Sequence, residues 1–406
     1  MSQNDPVLRL PLPADGALDP PTEWELLRKQ CPVATVELPS GDTGALLTRY
    51  ADVKKLLSDT RFSRPLPGDA SARVAPASGG GIATSNDSSL SIAAKGEEHQ
   101  RWRRMVGRYF TAKRMTALRP GMTRTAETLV DAMVASGRPA DLKPALGFPL
   151  PVAVICELLG APVEESKRFS YWSDAFLNLD RYTKEQSAQA HVDFTAYMTE
   201  LIAEKRTAPG DDLISTLIEE SRAEGEGLTD EELCDTAIAL LVAGHETTAN
   251  MIGKMIAMLL SDRTRWERLL ADRSLIRTAV DESLRADANL GAYGLRRYLT
   301  EDLDLDGTTV PSGTTVFCGL GAANRDEEAF TGADGMDLGR SPNPHLAFGA
   351  GAHSCLGQAL ARTELQVVLE VLLRKLPTLE LAVPVEELKR LEGLIVGGLQ
   401  EVPVRW

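Results

Sequence analysis

The sequence predicts a mainly helical protein with a small β-rich region, and three observations lead to this fold class. Residues 228–260 form one long, mostly apolar run that opens with a helix-capping pattern. Residues 115–225 show the periodicity of several amphipathic helices. Alternating patterns separated by turn residues, at 33–48 and again at 296–313, predict the β-structure. Periodicity alone therefore indicates a large, mostly α protein with some β-strand.

Composition narrows the class of protein. The 406 residues are 43% hydrophobic and 25% charged, with a net charge of −14. This balance argues against nucleic-acid binding, because phosphate recognition needs a basic surface. The five cysteines form no C-x-x-C pair, and the amino-terminal residues are polar. No stretch approaches the roughly 20 apolar residues of a membrane span. We therefore expect a reduced, soluble, cytoplasmic protein.

The amino-terminal part is predicted element by element. We expect one domain over residues 1–406, with residues 1–20 as a poorly ordered arm. Val33–Leu38 and Gly44–Thr48 predict a β-hairpin, and a helix is expected at 50–57. The segment 65–91 is rich in Gly, Ala, Ser and Pro, which predicts a flexible surface loop.

A basic segment follows at residues 98–108. His99 and Arg103 are four residues apart, so on a helix they share one face and could together bind a dianionic ligand. A solvated basic face is the alternative of equal weight. The remaining basic residues make a concentrated patch in an acidic protein; they are Arg101, Arg104, Arg108, Lys113 and Arg114.

The long central helix carries an unusual polar insertion. Thr229 and Glu232 form its capping box. In its middle stands Ala243-Gly244-His245-Glu246-Thr247-Thr248, where a glycine and an acid are costly in an apolar helix. The structural interpretation is a local kink in the helix. The functional one gives Gly244 room for a flat cofactor, and makes Glu246 a proton relay beside the hydroxyl of Thr247.

A single cysteine lies in a glycine-bearing turn. The stretch Phe348-Gly349-Ala350-Gly351-Ala352-His353-Ser354-Cys355-Leu356-Gly357 precedes a run of good helix formers. A helix amino-terminus favours a thiolate over a thiol, which would suit Cys355 as a metal ligand. Taken alone, the same cysteine would more often be a packed core residue.

This stretch resembles the haem-binding loop of the cytochrome P450 family at every defining position, and the other motifs match in the same order. The resemblance implies a single-domain cytochrome P450 fold with haem b, and Cys355 as the proximal thiolate on its iron. It also implies that further residues contact the haem: Ala243, Gly244, Phe348, Gly349 and Gly357. The propionates would be bound by His99, Arg103, Arg297 and His353, with Arg296 as the alternative to Arg297.

The resemblance also implies an activity. The chain is similar to soluble bacterial monooxygenases that activate O2. Their electrons come from NAD(P)H and are delivered by a ferredoxin or flavodoxin and its reductase. Glu246 and Thr247 would manage protons, and the partner would dock near Arg101, Arg104, Arg108 and Lys113. The substrate would be a mostly apolar small natural product of secondary metabolism, hydroxylated in a pocket lined by the 65–91 loop, the 170–190 aromatics, 287–295 and 393–399.

Two alternatives stay open from the sequence. The same oxidant could serve C–C coupling, ring closure or epoxidation, for example on a cyclic peptide or an alkaloid. A haem-binding sensor without turnover is a weaker alternative, because the Glu246–Thr247 pair is intact. Glu282 and Arg285 resemble the buried structural pair of the family, but Gly335 stands where a basic third member is often found. The sequence leaves that partner open.

Overall fold

The computed structural model describes residues 8–62, 64, 70–75, 96–224, 227–305 and 307–406. Helices dominate this part of the chain, as predicted. Their bounds are α1 Glu23–Gln30, α2 Tyr50–Ser58, α3 Gly96–Gly107, α4 Ala112–Ser136, α5 Pro149–Leu159, α6 Ser166–Leu177, α7 Lys184–Thr207, α8 Leu213–Glu224, α9 Asp230–Leu260, α10 Arg263–Ala271, α11 Ile276–Ala286, α12 Leu320–Ala323 and α13 Gln358–Lys375.

The strands form small sheets beside the helices. Their bounds are β1 Leu8–Arg9, β2 Val33–Glu37, β3 Thr43–Leu47, β4 Ala140–Asp141, β5 Leu295–Tyr298, β6 Leu303–Leu305, β7 Thr308–Val310, β8 Thr315–Cys318, β9 Glu380–Leu381 and β10 Pro403–Arg405. The largest sheet has the order β1-β2-β3-β8-β5. Its β2–β3 pair is the predicted hairpin, in antiparallel register from Val33↔Leu47 to Glu37↔Thr43. The strand pattern is thus confirmed.

The amino-terminal arm differs from the expectation. Residues 1–7 lie outside the described part of the chain, but residues 8–20 have a fixed place. Strand β1 pairs in parallel with β2, and Leu10 and Leu12 are buried. For residues 8–20 the expected disorder is therefore wrong, because the sequence pattern could not show the sheet edge that receives them. Of the 65–91 loop, only residues 70–75 are described.

Helix α9 is the central element. Thr229 and Glu232 form the capping box that the sequence predicts, with both reciprocal hydrogen bonds present. The helix contacts α5, α6, α7, α10, α11 and α13, so nearly its whole surface is covered. That covering explains its apolar sequence, since a helix buried on all sides needs no polar face.

A buried ion-pair network connects α11 to the segment that leads to the cysteine. Glu282 and Arg285 are both 0% exposed and bind each other through two hydrogen bonds of 2.8 and 2.9 Å. Arg340 Nε donates to Glu282 Oε2 at 2.9 Å, and Asn343 Nδ2 donates to the same oxygen at 3.1 Å. The third member left open by the sequence is thus Arg340. Gly335 instead supplies a carbonyl that accepts from Arg285 Nη2.

No helix within the described ranges combines the length and apolar character needed to cross a membrane. The cytoplasmic location stays a prediction.

Glu364 on α13 is fully buried, and neither carboxyl oxygen has a hydrogen-bond partner in the described structure. Burial raises its pKa well above the usual value. The unfolded state releases this proton as the pH rises above about 4.3, whereas the folded state keeps it. The free energy of unfolding therefore falls as the pH rises from about 4.3 toward the higher pKa of the folded state.

We predict that Glu364→Gln removes this part of the pH dependence. The variant should melt at a higher temperature than wild type at pH 8, and the two melting temperatures should converge toward pH 5. Thermal unfolding followed by circular dichroism measures this, with the exposed Glu386→Gln as control. A Glu364→Gln variant that is less stable than wild type at every pH would contradict the assignment.

Candidate active site

The loop before Cys355 has a backbone that only glycine accommodates easily. Gly349 and Gly351 have φ values of +69° and +71°. A Cβ on Gly351 would lie 2.6 Å from the carbonyl oxygen of Leu57. The loop closes where the Cys355 N–H donates to the Phe348 carbonyl at 2.8 Å. Two of the motif glycines are thus explained by conformation and by the close approach of α2.

Cys355 lies just ahead of α13, as predicted, and its side chain is exposed. The Gly357 N–H and the charges of Arg103 and Arg362 favour its thiolate. Burial among protein atoms nevertheless dominates and raises the pKa of the thiol. The N–H at the start of α13 thus favours the thiolate, as expected, but its effect on the pKa is smaller than that of burial. A bound metal ion would supply what is missing, because a coordinating thiol is deprotonated outright.

The other cysteines fit the packing interpretation. Cys156, Cys234 and Cys318 are buried, and Cys31 is half-buried with its thiol donating to the Val33 carbonyl at 3.4 Å. Cys355 differs from all of them in its accessible sulfur. This contrast is the first reason to assign it a ligand.

The predicted propionate residues come together around the cysteine loop. The rings of His99 and His353 are 4.2 Å apart. Arg103 Nη2 is 3.4 Å from the Ser354 hydroxyl. Arg297 is 2% exposed, and its Nε has no hydrogen-bond partner in the described structure. Arg64, which no sequence motif marks, adds a third arginine to Arg103 and Arg297, and its charge acts on His99, Arg297 and His353.

Arg103 and Arg297 have no carboxylate partner among the described residues. Burial, followed by the charges of His99, Arg297, Arg64 and Arg103, lowers the pKa of His353 to about 3. Burial is also the first cause that lowers the pKa of His99 and Arg297, and the charge of a neighbouring arginine lowers each pKa further. Such a site is unfavourable unless an anion binds it. Two haem propionates carry the charge that these donors fit.

The neighbouring arginine is oriented differently. Arg296 Nη1 reaches the Ala72 carbonyl at 3.5 Å, whereas Arg297 contributes positive charge at His353. Successive side chains of a strand point to opposite faces. The geometry therefore favours Arg297 over the fallback Arg296.

The middle of α9 has an accessible strip in an otherwise buried helix. Ala243 is exposed, and Gly244 and Thr247 are half-buried. A Cβ on Gly244 would lie 2.8 Å from Ile155 Cδ1. A side chain at this position would have to displace Ile155, so the close packing of α5 on α9 favours a glycine. The role of Gly244 beside a flat cofactor stays a prediction, and Ala243 is exposed.

Glu246 and Thr247 have distinct surroundings. Glu246 is 8% exposed, and Asn250 Nδ2 donates to its Oε1 at 3.0 Å. Burial raises the pKa of Glu246, and the Asn250 hydrogen bond opposes that shift. The Thr247 hydroxyl donates to the Ala243 carbonyl at 2.8 Å, and Asn289 Nδ2 donates to the Thr247 carbonyl at 2.5 Å. The two asparagines were not identified from the sequence.

His245 is a packing residue. It is fully buried, and Nδ1 lies 2.7 Å from the Leu241 carbonyl. Burial lowers its pKa to about 4, so the ring is neutral near pH 7. His245 is therefore a neutral, hydrogen-bonded part of the core.

Comparison with known proteins agrees with this architecture. The Cytochrome P450 family model matches residues 32–394. The chain belongs to the cytochrome P450 family. It is 43% identical to mycinamicin IV hydroxylase/epoxidase of Micromonospora griseorubida over 94% of each chain. It is 40% identical to nocardicin C N-oxygenase of Nocardia uniformis over 96% of each chain.

Solved structures give the same result. The structure of the putative thioether synthase SgvP has a TM-score of 0.90 with 36% identity, covering 99% of this chain and 100% of that one. The LnmA cytochrome P450 hydroxylase has a TM-score of 0.89 with 38% identity, covering 98% and 100%. The single-domain cytochrome P450 fold is therefore confirmed.

Family membership also confirms the class of chemistry. Cytochromes P450 are haem-dependent oxidoreductases that use O2 and electrons from NAD(P)H through a redox partner, and the relatives of this chain are monooxygenases that tailor small molecules in secondary metabolism. Haem bound through a cysteine thiolate supplies O2 activation, because electron density from the sulfur favours O–O cleavage. The roles of individual residues stay predictions.

Proposed function

We propose that this cytochrome P450 hydroxylates a mostly apolar natural product on haem b held by the sulfur of Cys355. The observation that carries the proposal is the position of an exposed cysteine beside Arg103 and Arg297, which have no carboxylate partner among the described residues. His99, Arg103, Arg297 and His353 would bind the propionates, and Arg64 would add positive charge. The fit rests on the donors present and on the unpartnered Arg297 Nε.

The proximal side would be organised by Phe348. Its carbonyl accepts the Cys355 N–H, and the guanidinium of Arg362 lies 4.6 Å from its ring centroid. Arg362 is itself held by Asp281, which accepts from Nε at 2.7 Å. Gly349 permits the turn, and Gly357 places an N–H at the sulfur. Together these contacts would hold the Phe348 ring beside the Cys355 sulfur and exclude water from the sulfur.

Glu246 would deliver protons to the oxygen-binding side. Because burial raises its pKa, more of its carboxyl carries a proton near neutral pH than an exposed glutamate would. Asn250 holds Oε1, which orients the carboxyl group. The Thr247 hydroxyl donates a hydrogen bond to the Ala243 carbonyl. Its oxygen lone pairs can still accept a hydrogen bond from a proton donor while that bond is kept.

The substrate class is supported by the relatives and by the local sequence. Mycinamicin IV hydroxylase/epoxidase and nocardicin C N-oxygenase act on natural products, by their names. In this chain the segment after α11 contributes Leu290, Gly291 and Ala292, which suggests a mostly apolar wall. Hydroxylation is proposed over coupling or ring closure because mycinamicin IV hydroxylase/epoxidase and the LnmA protein are hydroxylases by their names.

The relay is tested by single substitutions in the haem-loaded enzyme. We predict that Glu246→Gln lowers product formation by roughly 100-fold, the lower end of what a positioned general acid contributes. The decline of the wild-type rate with rising pH should also disappear, because that decline reports loss of the Glu246 proton. Thr247→Ala should retain NADH consumption but form less product per NADH.

These assays use ferredoxin, its reductase and any compound from a natural-product panel that shifts the Soret band on binding. Glu231→Gln, in the exposed first turn of α9, is the control and should behave as wild type. Unchanged product yield and pH profile in both active-site variants would exclude the relay.

Redox-partner docking would use fewer residues than the sequence suggested. Arg101 donates to Glu232 at 2.9 Å, and Arg108 lies 3.6 Å from Glu220, so both have acidic partners. Arg104 and Lys113 are exposed. We infer that Arg104 and Lys113 form the core of an electrostatic docking surface for an acidic ferredoxin, with Arg108 at its edge.

Charge reversal tests this surface. We predict that Arg104→Glu and Lys113→Glu each raise the KM for ferredoxin by about tenfold, because steering is lost, and reduce its dependence on salt. The rate at saturating ferredoxin should stay close to wild type. Lys184→Glu, at the exposed start of α7, serves as the matched control. Equal KM values in all variants would place docking elsewhere.

A further inference from the structure

A cavity of about 540 Å³ lies between the amino-terminal segment and the carboxy-terminal loops. Its walls come mainly from residues 10–14, 17–21, 286–289, 291–294, 390–394 and 397–398. It adjoins the catalytic helix through Asn289, which lines the cavity and donates to the Thr247 carbonyl. A ligand here would therefore be a neighbour of the oxygen-binding side, separated from it by one asparagine.

The cavity has two fixed aromatic side chains in its wall. A Cβ on Gly321 would lie 2.3 Å from Trp24 Cη2, so the absence of a side chain there makes room for the indole. Tyr293 is 7% exposed. Within the described structure, its hydroxyl has no hydrogen-bond partner. Burial and the nearby charge of Asp180 raise the pKa of Tyr293 to about 12, so the phenol is neutral.

Tyr293 lines the cavity and its hydroxyl is not used by another described residue, so the phenol oxygen can accept a hydrogen bond from a ligand. Tyr293 sits close enough to Asp180 for that carboxylate to act on it, and both residues line the cavity. A neutral phenol and a carboxylate in the wall of one cavity offer two hydrogen-bond acceptors. Their natural complement is a donor that carries positive charge.

The charges around the cavity point the same way. Each lining cation is already bound: Lys254 to Asp287 at 2.9 Å, Arg325 to the Ala286 carbonyl at 3.0 Å, and Arg390 to the carbonyls of Ala17 and Asp19. The exposed carboxylates have no ion pair among the described residues; they are Asp19, Asp180 and Glu392. With Asp287, four lining carboxylates face three lining cations, so the cavity wall carries one net negative charge and favours a cation over an anion.

We propose that this cavity is a subsite for a protonated amine carried on an apolar body. Asp180 and the Tyr293 hydroxyl oxygen accept the N–H groups, and the Trp24 ring contacts the carbon atoms next to the nitrogen. Asp19 and Glu392 raise the local concentration of the cation. The subsite deepens the proposed function, on which it rests: the amine belongs to the substrate that the enzyme oxidises.

The test uses the full, haem-loaded protein and a matched pair of probes of similar length. These are dimethyl(4-phenylbutyl)amine, which is protonated at pH 7, and the neutral 4-phenylbutan-1-ol. Isothermal titration calorimetry gives the dissociation constants. The Soret band recorded in parallel shows whether either probe reaches the iron. We expect the amine to bind about tenfold more tightly than the alcohol, and added salt to narrow the difference.

Asp180→Asn should reduce this preference to about twofold, and Tyr293→Phe should weaken amine binding several-fold. Asp15→Asn is the control, because Asp15 is exposed but does not line the cavity. Equal binding of amine and alcohol, or equal effects of Asp180→Asn and Asp15→Asn, would overturn the subsite. A thiolate-type haem spectrum with no amine preference refutes the subsite alone, whereas loss of that spectrum refutes the proposed function.

Discussion

The site depends on the buried network that Glu282, Arg285 and Arg340 form. The chain between α12 and α13, residues 324–357, has little regular structure, and it must deliver Cys355 to one place. Arg285 binds the carbonyls of Asn324, Ala333 and Gly335 along this segment. With Glu282 holding the Asp337 N–H, the pair supplies hydrogen bonds that a helix or strand would otherwise provide.

That network explains why an expensive ion pair is kept at zero exposure. A buried pair gains little stability over apolar packing, but removing one partner leaves an uncompensated charge. Here the pair also fixes an irregular backbone, which apolar residues could not do. The Asn324 side chain accepts the Leu346 N–H at 2.6 Å and extends this control to the edge of the cysteine loop. Rigidity at Cys355 thus begins more than 60 residues earlier in the chain.

Much of the fold and part of the site could be predicted from the sequence. Local sequence patterns predicted local geometry correctly. Examples are the capping box at Thr229, the β2–β3 hairpin and the glycine turn before Cys355. Arg340 was missed although it is the one Lys or Arg between Arg325 and Arg362, because the path of the irregular segment decides which side chain returns to Glu282. Arg64 carried no motif signal at all.

Tertiary packing also changed the meaning of residues that the sequence did single out. Gly244 was selected correctly as unusual, but its neighbour is Ile155 on α5, nearly 90 residues away in the chain. Arg101 is part of the basic patch in the sequence, but in the structure it forms an ion pair with Glu232. The pKa of Cys355 depends on burial more than on the helix that follows it. Each of these outcomes is set by a partner distant in sequence.

The most direct test of the central claim is the absorption spectrum of the reduced, CO-treated protein. If the Cys355 sulfur holds the haem iron, the wild type will show the red-shifted Soret band of thiolate-ligated haem, and Cys355→Ser will lose it. Cys156→Ser, which alters a buried packing cysteine, should keep the wild-type band. A wild type without the red-shifted band, or a Cys355→Ser variant that retains it, would contradict the assignment.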